Sequence, residues 1–139
     1  MNKGEYVKWE YLGWQFGAWK IPSENSLHPS KIVIAFHGFD RGAKEMESFM
    51  PLYDANTSML SVSLLHHGSS KPLPPLPIKE PLPPKLLIHA IESHIGLDNV
   101  RLELLGYSMG ARIAIKLFEE FPEKFSRIIA LAPDGLKMG

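Results

Sequence analysis

The sequence predicts an α/β fold, a mostly parallel sheet with helices packed against it. Three observations carry this expectation. Lys31–Phe36 (KIVIAF) is a short, nearly unbroken apolar run rich in β-branched residues, which suits a strand buried on both faces. Between Met109 and Phe121, Ala111, Ala114, Ile115, Leu117 and Phe118 recur at helical spacing, with Arg112, Lys116 and Glu119 on the opposite side. Strand-like and helix-like segments also alternate along the chain, and that alternation brings strands together in parallel.

The remaining elements follow in order. Glu5–Leu12 and Trp14–Ile21 are rich in aromatics, are separated by Gly13, and predict an antiparallel hairpin. Pro22–Ser30 has turn composition. After KIVIAF, Lys44–Tyr53 has weak helical character that ends or kinks near Pro51. Met59–Leu65 (MLSVSLL) is the next strand. Seven of the twelve prolines (Pro72, Pro74, Pro75, Pro77, Pro81, Pro83, Pro84) then fall within 71–85. Proline lacks an N–H for a sheet ladder, so this stretch predicts a stiff surface loop. Leu87, Ile88, Ile91 and Ile95 mark a helix from Lys85 that Gly96 caps. Val100–Leu105 is a strand, Met109–Phe121 a helix stopped by Pro122, and Phe125–Ala132 (FSRIIALA) the last strand.

The 139 residues suit one domain, 1–139, large enough to bury a core. Lysine plus arginine and aspartate plus glutamate number 15 each, so the formal charge is zero and electrostatics favours neither nucleic acid nor an acidic membrane. The absence of cysteine excludes disulfides, thiolate metal sites and cysteine nucleophiles. The first residues, MNKGEYVKWEYLGW, lack the apolar core of a signal peptide. The expectation is a cytoplasmic protein without a membrane, nucleic-acid, cofactor or metal partner. His66 and His67 read as loop residues rather than ligands, and His28 carries no signal. His89 and His94 fall off the apolar stripe of their helix and are expected in solvent.

Gly106-Tyr107-Ser108-Met109-Gly110 matches G-x-S-x-G. At average composition a chain of this length contains such a match by chance about one time in twenty, so the match alone decides little. Its context is specific: a strand precedes it and an amphipathic helix follows. A turn that projects a serine hydroxyl from a strand end strains that serine, so Ser108 is expected at positive φ. Side chains two residues to either side would strike the neighbouring backbone. The same turn places Ser108 at a helix N-terminus, where N–H groups and the helix dipole favour negative charge.

In these features the chain resembles the α/β-hydrolase family, and its fold is expected to be the front part of that family's domain, through the sixth strand. His37-Gly38-Phe39 is similar to the family's HG-apolar step after the third strand. His67-Gly68-Ser69-Ser70 resembles the end of its D-x-x-G-H-G-x-S turn, with Ser63 at the aspartate position and His66 at the first glycine. The resemblance implies Ser108 as nucleophile, with the backbone N–H groups of Phe39 and Met109 forming the oxyanion hole. It implies that His37 orders its loop. GYSMGAR is similar to esterases, acyl-thioester hydrolases and carbon–carbon bond hydrolases or lyases. The implied reaction is serine-dependent hydrolysis of a small-molecule acyl substrate. The alternatives are carbon–carbon cleavage by the same serine and a non-catalytic binding member. The family's order is serine, acid, histidine, yet no histidine follows Ser108, so the histidine is expected beyond residue 139. Asp134 is the candidate acid, against the plainer reading of Pro133-Asp134-Gly135 as a turn. An open edge on FSRIIALA implies self-association.

Overall fold

The computed structural model describes residues 4–24, 30–38, 42–63, 71–72, 82–96 and 100–131. Their order is β1 (Glu5–Tyr11), β2 (Trp14–Ile21), β3 (Lys31–Phe36), a 3₁₀ helix η1 (Ala43–Leu52), β4 (Thr57–Val62) and a two-residue β5 (Lys71–Pro72). Then come α1 (Pro84–Ile95), β6 (Arg101–Tyr107), α2 (Met109–Glu120), a 3₁₀ turn η2 (Pro122–Lys124) and β7 (Arg127–Leu131). One sheet has the spatial order β1-β2-β4-β3-β6-β7, with β5 paired to β2 off that path. β4, β3, β6 and β7 run parallel. β2 is antiparallel to β1, β4 and β5.

The hairpin forms as expected. Leu12 (φ 47) and Gly13 (φ 81) both take positive φ, the signature of a two-residue turn whose twist matches the flanking strands. β3 has the residues expected of it, and its last four are buried. The sheet therefore needs apolar cover on both faces. On one face Phe16, Ile34, Phe36, Leu60 and Leu104 meet Leu87, Ile88 and Ile91 of α1 and Ala114 and Leu117 of α2. On the other, Trp19, Val33, Ala35, Met59 and Leu105 meet Ala43 and Met46 of η1.

Several expectations need correction. The weak helical character of Lys44–Tyr53 takes the form of η1, a ten-residue 3₁₀ helix that runs through Pro51 to Leu52 rather than stopping before it. β4 begins at Thr57, two residues earlier than expected, and ends at Val62; 64–70 lie outside the described residues. β7 starts at Arg127, because Phe125 buries its ring in the α-helical face just before the strand. Within α2, Ile115 and Phe118 are half-buried rather than buried. His94 is not solvated. The Trp9 indole stacks on its ring at 4.2 Å and donates Nε1–H to the Ala90 carbonyl at 2.9 Å, so the hairpin covers that side of α1. His89 is half-buried too. Gly96 ends α1 at φ 78, as its capping role requires. Of the proline loop, 73–81 lie outside the described residues.

Three parallel strands are clamped where they begin. Glu103 of β6 is buried, yet its carboxylate meets Lys31 of β3 at 3.5 Å and Arg127 of β7 at 3.0 Å. Burying one carboxylate alone is expensive; two cations from adjacent strands offset that loss and fix the register.

Candidate active site

Ser108 lies where β6 ends and α2 begins. Its φ of 57 and ψ of −117 are neither helical nor extended. Such a backbone on a residue with a Cβ costs on the order of 1–3 kcal/mol and must be held by its surroundings. Its N–H donates to the Leu131 carbonyl at the end of β7 (2.8 Å), and its carbonyl accepts from Ala111 N–H (3.0 Å). The strain is therefore pinned from the neighbouring strand and from the helix it starts.

The flanking glycines are required for space. Neither has positive φ among the described residues. A Cβ on Gly106 would lie 2.5 Å from Ala111 Cα and from the Gly110 carbonyl oxygen. A Cβ on Gly110 would collide with the Phe36 carbonyl, so α2 lies directly on the end of β3. That contact brings the end of β3 beside the elbow. Gly38 sits so close that a Cβ there would be 3.2 Å from the Tyr107 ring and 3.4 Å from Ser108 Cβ. Across the same end, the Tyr107 ring meets Phe49 of η1 at 5.8 Å between centroids.

Met109 opens α2, so its N–H has no acceptor four residues earlier within the helix, and the positive end of the helix dipole adds to it. The residue as a whole is 38% exposed. His37 is completely buried, with Nδ1 2.7 Å from the Gly38 carbonyl oxygen. A carbonyl only accepts, so Nδ1 carries the proton. This bond ties the first turn of the connection after β3. Phe39, Asp134, His66 and His67 lie outside the described residues. The structure thus brings together Ser108, Met109, His37 and Gly38 of the expected constellation.

Ser61, in β4, was not distinguishable in the sequence. It is 0% exposed, and its hydroxyl donates to the Ala43 carbonyl at 2.6 Å. In MLSVSLL nothing separates Ser61 from Ser63 until the register against β3 and η1 is known. Among the described residues no group of three or more histidine, aspartate or glutamate side chains is placed to hold a metal ion, and no helix is long and apolar enough to cross a membrane.

This elbow on this sheet has the α/β-hydrolase fold. Solved structures similar to it include a thioesterase domain from the curacin biosynthetic pathway, at TM-score 0.68 and 23% identity over 91% of this chain and 45% of that one. An α/β-hydrolase enzyme from a Medee basin deep-sea metagenome library is similar at TM-score 0.65 and 18% identity, covering 88% of this chain and 42% of that one. A Vigna radiata epoxide hydrolase mutant is similar at TM-score 0.66 and 16% identity, over 91% and 37% respectively. The chain therefore spans less than half the length of each of these structures. No protein-family model and no curated protein sequence matches it.

Proposed function

We propose that this chain carries the nucleophile half of a serine hydrolase that cleaves an ester, thioester or related acyl bond. The observation that carries the reading is the backbone of Ser108: a strained, positive-φ serine between two space-demanding glycines, at a helix N-terminus. A hydroxyl that only faced solvent would not repay that strain. In the proposed step Ser108 Oγ attacks the acyl carbonyl carbon, and the Ser108 proton passes to a general base. The carbonyl oxygen becomes an oxyanion that accepts hydrogen bonds from the N–H groups of Met109 and Phe39. Two such donors, fixed beforehand, supply much of the barrier lowering in acyl transfer. The oxyanion then collapses, the bond to the alcohol or thiol breaks, and that leaving group takes the proton from the base. Water, giving its proton to the same base, attacks the acyl-serine, and the acid leaves as Ser108 Oγ regains a proton.

No histidine of residues 1–139 is assigned as that base. None follows Ser108 here, and the bond from His37 Nδ1 to Gly38 fits a role in ordering the loop. The test is Ser108→Ala in the full-length protein. Hydrolysis of a p-nitrophenyl ester is expected to fall by about four to six orders of magnitude with folding intact. Turnover close to wild type would remove Ser108 from the role.

A further inference from the structure

The connection from β3 to η1 passes beside the elbow at Gly38 and returns to the sheet at Ala43. A backbone that must aim a donor at an oxyanion has to be held at both ends, because small displacements of catalytic groups cost large factors in rate. The outgoing end is tied by His37 through the Gly38 carbonyl. The returning end enters a 3₁₀ helix of ten residues, whose N-cap residue Gly42 supplies no side-chain hydrogen bond. Hydrogen bonds in 3₁₀ helices have poor geometry, and runs beyond three or four residues are uncommon, so η1 depends on external anchors.

Two side chains of the sheet provide them. Trp19 of β2 donates Nε1–H to Glu47 at 2.8 Å, and Ser61 of β4 donates its hydroxyl to Ala43 at 2.6 Å. Ser61 lies in register with Ala35 on one side and Trp19 on the other, on the sheet face that η1 covers with Ala43 and Met46. A hydroxyl buried there is unfavourable unless bonded, and alanine would fit the space. Its bond goes to the residue that ends the connection, not to the backbone of its own strand.

We propose that Ser61 is a positioning residue for the reaction at Ser108: its hydroxyl fixes the returning end of the connection and so the backbone beside the nucleophile. This rests on the reading of Ser108 as nucleophile. The test compares Ser61→Ala, Ser61→Thr and Ser108→Ala in the full-length protein. Ser61→Ala is expected to lower kcat for a p-nitrophenyl ester about tenfold, less than the loss of a whole oxyanion donor. KM should stay within about twofold, since the interaction acts in the transition state. Phenylboronic acid, whose boron becomes tetrahedral on adding Ser108 Oγ, should bind more weakly by about the same tenfold factor. Ser61→Thr, which keeps the hydroxyl, should recover most of the loss. Amide exchange across 37–46 should quicken in Ser61→Ala while that of β6 does not change. If the alanine variant does not fold, Ser61→Cys, a weaker donor, is expected to show a smaller loss of the same kind. An unchanged kcat in Ser61→Ala beside an inactive Ser108→Ala overturns the proposal, as does a loss that Ser61→Thr leaves in full. Full turnover by Ser108→Ala would instead overturn the nucleophile reading, and the exchange of 37–46 would still decide whether Ser61 holds the connection.

Discussion

Around Ser108, two glycines are chosen by the space between backbones rather than by chemistry. Gly110 lets the first turn of α2 lie on the Phe36 carbonyl, and Gly106 lets β6 end against Ala111. Gly110→Ala would gain about 1 kcal/mol in helix propensity. It would also drive a methyl group into backbone that cannot rotate away, at a cost of about 3 kcal/mol or more. The collision wins, so chemical denaturation should show a net loss of about 2 kcal/mol or more. A variant as stable as wild type would mean that α2 does not rest on β3. The elbow was legible in the sequence because its spacing is a backbone demand, written as glycine-x-serine-x-glycine. Ser61 was not legible, since its role depends on which strand lies beside it and which carbonyl passes over it.

Elements with local signals were legible as well: the break at Gly13 in the hairpin, the unbroken KIVIAF run and the apolar stripe of α2. Their contacts with distant parts of the chain were not. His94 reads as exposed from its own helix, yet the Trp9 indole of the hairpin stacks on it and it is half-buried. Burial, and then the nearby Lys20 charge, lower its pKa from the usual 6.5. The folded state therefore holds fewer protons at this site than the unfolded chain between the lowered value and 6.5, and stability rises with pH across that window. Above 6.5 the site is neutral in both states and imposes no penalty. As pH falls through the lowered folded value the penalty grows to its full extent. Urea midpoints taken from pH 7.5 down to 5 should fall more steeply for wild type than for His94→Asn. Parallel curves would show that the stacked ring is not what the hairpin contact senses.

For the whole molecule, alternation of strands and helices predicted the class of fold but not the order of strands. Nothing in the composition of β2, β3 and β4 says that β4 lies between the other two. That order comes from the crossover through η1, whose 3₁₀ form the weak periodicity of 44–53 did not reveal. Among the described residues β7 has a strand neighbour on one side only, and Ile128, Ile129 and Leu131 are half-buried. An open edge of this kind is a template for another strand. Residues 1–139 expressed alone are therefore expected to self-associate, with light scattering after size exclusion giving a mass above 15.6 kDa. A monomer at all concentrations would mean that the edge is covered.

An activated Ser108 nucleophile is open to chemical labelling. A fluorophosphonate reacts with a serine whose hydroxyl is activated and whose neighbouring donors stabilise a tetrahedral oxyanion. Trypsin releases Leu102–Arg112 (LELLGYSMGAR), which contains one serine, and fragmentation of that peptide separates an adduct on Ser108 from one on Tyr107. In the full-length protein one adduct is expected, on this peptide, formed in step with the loss of esterase activity and absent from Ser108→Ala. Inhibition accompanied by an adduct on any other peptide, or steady ester turnover with Leu102–Arg112 unmodified, would contradict an activated Ser108.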